Sequence, residues 1–412
     1  MWVDPLGSTH NAQYTSYICS PIRCQLLLYS GIVSADFKTA WEAGRLHQKA
    51  MASLTWLVVL LAGLGQGWAN NSGLNVENNY RNMMVRLASS KPASAGIQVL
   101  REGRVEVSFD FGRSWGTICS TTWSMREANV VCRQLGLGYA SKASQGTEHG
   151  DSRKHPWAMV GTLCRGTERR LAECIRESHY PNRCNARNHN VTTVACVSHS
   201  ADLEIGLAEI ERTARLEAVP MSRLTCAMEE HCVSADAYEI RRTNPHAARI
   251  LLRFSVKASN VGTADVSPYA NYKDWVWHQC HRHYHSMNVF ATFDVYDLKY
   301  RKVAQGHKAS FCLMDTDCTP GVRAKYTCGN TTQGISVGCA DTYTDVLDCQ
   351  WVDVTRVPVN RRYILRVALN PEYKLGEISF ENNGAECLLD YTGVHQTTRI
   401  FNCRRKPLWF KI

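Results

Sequence analysis

Apolar and polar residues alternate along Gly103-Arg-Val-Glu-Val-Ser-Phe109. That pattern predicts a half-buried strand, because successive side chains of an extended chain point to opposite faces. A helix is predicted next. Ser124 and Glu127 have capping-box spacing, the helical stretch runs through Gln134, and Gly136 marks its end. Arg249–Val256 and Tyr363–Leu369 are rich in branched apolar residues with partial alternation and read as strands. Helical periodicity is scarce elsewhere, so a mainly β chain with short helices is expected. The apolar run Leu54–Leu64 follows Arg45 and Lys49 and precedes Gly67-Trp68-Ala69. It is too short to cross a hydrocarbon core of roughly 30 Å and reads as a signal peptide over 51–69. A membrane anchor is the competing reading. Residues 1–50 are then an upstream extension, and residues 70–96, rich in Asn, Ser and Ala, a flexible leader.

With 412 residues, two or more domains are expected. Eighteen cysteines behind an export signal imply disulfides and a secreted chain, with no membrane anchor after processing. Asn70, Asn190 and Asn330 are glycosylation sequons. The net charge of +10 favours retention by acidic glycans or acidic protein surfaces. No basic stripe with interleaved aromatics points to nucleic acid.

The densest chemistry is Trp275-Val-Trp-His-Gln-Cys-His-Arg-His-Tyr-His-Ser-Met287. His281, His283 and His285 alternate, so an extended segment would aim three imidazoles at one point. Nitrogen ligation without a thiolate suits Cu(II), Zn(II) or Ni(II). The competing reading is a solvated, pH-sensitive histidine patch.

Two cysteine-framed blocks carry family resemblances. Gly103-Arg-Val-Glu-Val, Trp115-Gly-Thr-Ile-Cys119, Ala128-Asn-Val-Val-Cys132-Arg-Gln-Leu-Gly136 and Val194-Ala-Cys196 resemble a scavenger receptor cysteine-rich (SRCR) domain over 97–199. The resemblance implies a small disulfide-rich domain in which a curved sheet cradles a helix. It also implies the pairs Cys119–Cys184, Cys132–Cys196 and Cys164–Cys174, one choice among the 15 that six cysteines allow. Such modules bind ligands or act as spacers.

Leu224-Thr-Cys226-Ala-Met-Glu-Glu, the histidine stretch, Gly306-His-Lys308-Ala-Ser-Phe-Cys312, Asp341-Thr-Tyr343 and Asp348-Cys-Gln-Trp-Val-Asp-Val354 resemble the lysyl oxidase catalytic domain over 201–403. A basic tail is left at 404–412. The resemblance implies a β-sandwich-like domain with long disulfide-tied loops, tied by Cys226–Cys280, Cys232–Cys349, Cys312–Cys328, Cys318–Cys339 and Cys387–Cys403. It implies copper on His281, His283 and His285, with Lys308 and Tyr343 joined as lysine tyrosylquinone, a cofactor made from the protein's own side chains. The implied activity is oxidative deamination of peptidyl lysine in collagen- or elastin-like matrix proteins, the quinone acting as electron sink. A redox metal is needed to make a quinone from tyrosine, which favours copper over zinc.

Further positions follow from the same resemblance. Asp202, the Leu203 carbonyl, Glu377, Asn382 and Asn383 match a calcium site, although Ser379 stands where an acidic ligand is expected. Thr292 replaces a histidine, and Gln305 replaces an acidic residue just before Gly306. Asp341 and Asp353 are carboxylates close to the motifs, each a candidate for a chemical or a structural role. These departures keep alive an alternative function, a non-enzymatic secreted SRCR binder with a degenerate oxidase domain.

Overall fold

The computed structural model describes residues 19–20, 23–24, 82–89, 100–119, 122–175, 189–268, 272–280, 282–287, 289–308, 312–328, 332–393 and 398–408. The signal peptide 51–69, Asn70, Cys184, His281 and Asn330 lie outside them. In the unit spanning Met1–Leu74 only a short antiparallel pair is described, β1 (Cys19–Ser20) with β2 (Arg23–Cys24). All that follows belongs to the unit Asn75–Ile412. Among the described residues no helix is long and apolar enough to cross a membrane.

The first module is a curved sheet ordered β6 (Tyr139–Gly146), β8 (Val191–Val197), β4 (Glu102–Ser108), β5 (Gly116–Cys119), β7 (Trp157–Val160). The helix Met125–Gln134 packs on it through Ala128, Val131 and Cys132, which join the same buried cluster as Val105, Val107 and Val194. The capping box forms as read: the Ser124 backbone N–H donates to Glu127, and the Ser124 hydroxyl accepts from Arg126 N–H. Gly136, at φ +69°, takes the left-handed turn that ends the helix.

Two expectations for this module are corrected. Met84–Ala88, placed in the flexible leader, is strand β3, paired with β4 from Met84↔Ser108 to Ala88↔Arg104. Val85 and Leu87 pack on the module's core, and Arg86 pairs with Glu106 at 2.7 Å. Both faces of β4 are buried from Gly103 to Ser108, where alternation predicts a half-buried strand. Its polar face is tolerated because Glu106 is held between Arg86 and Arg104.

After Val197 the chain enters a β-sandwich. One layer is β16 (Lys302–Lys308), β15 (Ala291–Tyr296), β20 (Arg361–Leu369), β21 (Gly384–Tyr391) and β22 (Arg399–Lys406). The other is β17 (Asp317–Cys318), β18 (Cys339–Tyr343), β12 (Val256–Asn260) and β9 (Leu203–Ile205). Alternate residues of β12, β15, β20 and β21 face inward and build the core, with Phe254 edge-on to Phe293 at 5.1 Å. A third sheet, β10 (Arg215–Pro220), β11 (Ala248–Arg253) and β19 (Trp351–Asp353), covers a smaller core with Trp351 at its centre.

Two more boundaries shift. The single strand expected over 249–256 breaks at Phe254-Ser255, its halves entering different sheets as β11 and β12. Part of the basic tail is structured: β22 runs to Lys406, which pairs with Gly384, and Leu408 is buried. Seven of the eight implied disulfides fall wholly among the described residues, and all seven are bonded: Cys132–Cys196, Cys164–Cys174, Cys226–Cys280, Cys232–Cys349, Cys312–Cys328, Cys318–Cys339 and Cys387–Cys403. Cys119 is disulfide-bonded too, its implied partner Cys184 lying outside the described residues.

Candidate active site and cation cluster

The histidine stretch is a hairpin rather than one extended run. Strand β13 (Val276–His278) pairs with β14 (His283–His285), with His278 opposite His283 and Val276 opposite His285. Between them the chain turns, with Arg282 at φ +56° and its N–H on the His278 carbonyl. Among the described residues the alternation is seen at His283 and His285, and His281 lies outside them. The hairpin also brings in His278, outside the alternating triplet: it stacks on His285, centroids 4.5 Å apart and planes 10° from parallel.

Glu230 completes the group. It follows the short helix Thr225–Glu229, and its Oε1 lies 3.2 Å from His278 Nε2. Donor atoms of Glu230, His278 and His285 lie within 4.8 Å of one another, a nitrogen and oxygen set that suits Cu(II). Cys226–Cys280 ties the helix that leads into Glu230 to the turn of the hairpin. The helix–hairpin contact could not be read from spacing, since 54 residues separate the two cysteines. Only the backbone of His283 is described.

Tyr343 is the last residue of β18 and only 4% exposed, within the sandwich core. Its hydroxyl donates to Asp341 Oδ2 at 2.6 Å, and its ring tilts against Phe290 at 5.6 Å. Asp341 lies two residues earlier on the same strand face and also accepts from Met314 N–H at 3.0 Å. Burial, with a smaller contribution from the charge of Asp315, pushes the Asp341 carboxyl up to about 7. Burial, then the neighbouring carboxylate, pushes the Tyr343 phenol well up. Cys318–Cys339 fixes the start of the strand that carries both.

Lys308 ends β16, where its backbone pairs with Ala291, one residue from Phe290. Gly306 sets how β16 lies: a Cβ there would sit 2.2 Å from the Trp351 carbonyl. Thr292 is the register partner of His307 and is half-buried. Gln305 is exposed opposite Asp294 and accepts from Lys302 Nζ at 3.3 Å. Asp353 has a structural role. It is buried on Arg249, 2.8 Å away, and accepts from Ser234 N–H and from Thr355.

Of the positions expected to hold calcium, Asp202, Glu377, Asn382 and Asn383 come together, and Leu203 joins them through its backbone N–H. Glu377 is fully buried, accepting from Leu203 N–H at 2.7 Å, Asn370 Nδ2 at 2.7 Å and Asn383 Nδ2 at 2.8 Å. Asp202 accepts from Asn382 Nδ2 at 3.2 Å and from the Ser379 backbone N–H. Burial, with the charge of Asp202 adding, pushes Glu377 up to about 8, and burial raises Asp202. The Oδ1 atoms of Asn382 and Asn383 are buried without a hydrogen-bond partner. Two carboxylates and two unmatched carbonyl oxygens fit a hard oxygen-seeking cation such as calcium. Asn190 is exposed, as a glycosylation site requires.

Comparison with known proteins accords with this layout. Residues 95–197 match the scavenger receptor cysteine-rich domain family, and residues 201–403 match the lysyl oxidase family. Lysyl oxidase homolog 2A of Danio rerio is 45% identical over 298 residues, 71% of this chain and 40% of that protein. Lysyl oxidase homolog 4 of Bos taurus is 40% identical over 351 residues, 83% of this chain and 45% of that protein. Lysyl oxidase homolog 4 of Homo sapiens is 41% identical over 344 residues, 81% of this chain and 44% of that protein. The chain thus spans under half the length of these relatives. The crystal structure of the third SRCR domain of murine neurotrypsin is 32% identical, with a TM-score of 0.22, over 27% of this chain and 96% of that one. With an SRCR domain followed by a lysyl oxidase domain, the chain belongs to the lysyl oxidase-like family.

Proposed function

We propose that the chain is a secreted copper-dependent amine oxidase. It converts the primary amine of peptidyl lysine, with oxygen and water, to an aldehyde, ammonia and hydrogen peroxide. Lys308 and Tyr343 supply the lysine tyrosylquinone, and collagen- or elastin-like matrix proteins are the substrates, whose aldehydes condense into crosslinks. The net positive charge favours retention on acidic glycans.

The observation that carries this reading is the buried Tyr343–Asp341 pair in a domain that also presents the Glu230–His278–His285 donors. When bound, copper supplies the one-electron chemistry that turns a tyrosine into a quinone, and the quinone supplies a two-electron acceptor for amines. Asp341 Oδ2 is placed to take the phenol proton from Tyr343, which makes the ring easier to oxidise. Its raised carboxyl matches a base working near neutral pH. Phe290 packs against the ring, which is itself buried. Glu230, His278 and His285 are the described residues suited to hold copper, with His281 and His283 beside them in the hairpin sequence. Cys226–Cys280 holds the two ligand-bearing segments together.

The alternative, a secreted SRCR binder with a degenerate oxidase domain, rests on Thr292, which pairs with His307 across β15 and β16 in place of a histidine. Peptide mass spectrometry of copper-loaded protein separates the two. A crosslinked Lys308–Tyr343 peptide, with peroxide made from a primary amine, is expected of the oxidase. Both residues unmodified and no peroxide would leave the binder. Lys308→Ala should abolish turnover while copper content stays near that of the parent protein.

A further inference from the structure

The connection between β20 and β21, residues 370–383, has two faces. On one side Asn370, Glu377 and Asn383 turn into the cation cluster. On the other side the same segment seats the SRCR module. Phe380 is 4% exposed and belongs to the buried cluster of that module. Tyr373 lies beneath Arg126, 4.0 Å from guanidinium to ring centroid, and edge-on to Phe380 at 5.1 Å. The helix residue Asn129 donates to the Glu377 main-chain carbonyl at 2.7 Å, while its Oδ1 accepts from Ala140 N–H. Gly376 lies so close that a Cβ would meet the Ala140 carbonyl at 2.4 Å.

Glu377 is therefore shared. Its side chain lies in the cluster and its carbonyl belongs to the interface, so neither can rearrange alone. Ile378 N–H also bonds the Ala201 carbonyl, tying the segment to the chain just ahead of Asp202. We propose that cation binding and SRCR docking are coupled through residues 370–383, so that a bound calcium ion locks the SRCR domain onto the oxidase domain. The proposal rests on the calcium reading of the cluster. Ordering this segment costs conformational entropy once, and whichever event occurs first relieves the other of that cost. By linkage the factor is the same in both directions.

The test is calcium titration calorimetry of the calcium-free full chain, with hydrogen exchange on the same samples. Tyr373→Ala removes a docking contact without opening the SRCR core, and Phe380→Ala removes the larger anchor. Each is expected to weaken calcium binding, by about tenfold for Phe380→Ala. In the parent protein calcium should slow exchange over residues 126–141, which hold no candidate ligand, and in Glu377→Gln it should not. If the parent binds calcium but both variants bind it equally well, the coupling is overturned and the cation site stands. Parent protein that takes up no calcium removes the site and the coupling together.

Discussion

Replacing Asp341 by Asn should make the protein more stable at neutral pH and less able to build its cofactor. Asp341 is raised from 3.8 to about 7 by burial beside Tyr343. A carboxyl held above its unfolded value stabilises the fold while protonated. That contribution is complete below the unfolded value and is lost as pH rises towards the folded one. A rise of about 3 units at about 1.4 kcal/mol each sets an upper limit of about 4 kcal/mol, lost between about pH 4 and pH 7. The amide of the Asp341→Asn variant does not ionise, so the variant should be free of this loss. That amide keeps an oxygen for Tyr343 and Met314, but the new NH2 group costs about 1–3 kcal/mol if it finds no acceptor. This cost is the same at every pH, so the difference between the proteins is best read at two pH values. Denaturant unfolding with disulfides intact, at about pH 4 and about pH 8, should show the stability difference moving in favour of Asp341→Asn by up to about 4 kcal/mol. An equal difference at both would refute the assignment of a raised Asp341. In the copper-loaded variant the Lys308–Tyr343 peptide should be scarce, because an amide cannot take the phenol proton.

Three further outcomes follow from packing. Arg249→Met leaves Asp353 fully buried without its guanidinium and should cost about 3–5 kcal/mol, read by chemical denaturation. Gly306→Ala forces β16 away from the Trp351 carbonyl, moves Lys308, and should lower crosslink yield at unchanged copper content; unchanged yield would show that this approach is not needed. Removing both Cys226 and Cys280 should cost about 2–4 kcal/mol and reduce copper stoichiometry, which metal analysis checks. Full copper occupancy would show that the disulfide does not position the ligands.

Local chemistry was legible where it is written in neighbouring residues. Ser124 and Glu127 cap their helix because the two partners stand three positions apart. The strand Met84–Ala88 is hidden in the sequence because Asn and Ser surround it and it forms by pairing with β4. Glu230 ends a motif that the resemblance rests on, but spacing did not pair it with His278, which lies across a disulfide spanning 54 residues.

The sequence by itself determined the residue inventory: a histidine-rich stretch, Lys308, Tyr343, two cysteine blocks and a family resemblance. Only the tertiary structure decided their environments. It folded the histidines into a hairpin, so that His278 rather than alternation alone completes a donor group with Glu230. It gave Asp341 to the Tyr343 phenol and Asp353 to Arg249, two carboxylates that the sequence left equivalent. The physical reason is that a side chain's type travels with the chain, whereas its solvation and its charged neighbours come from distant segments packed around it.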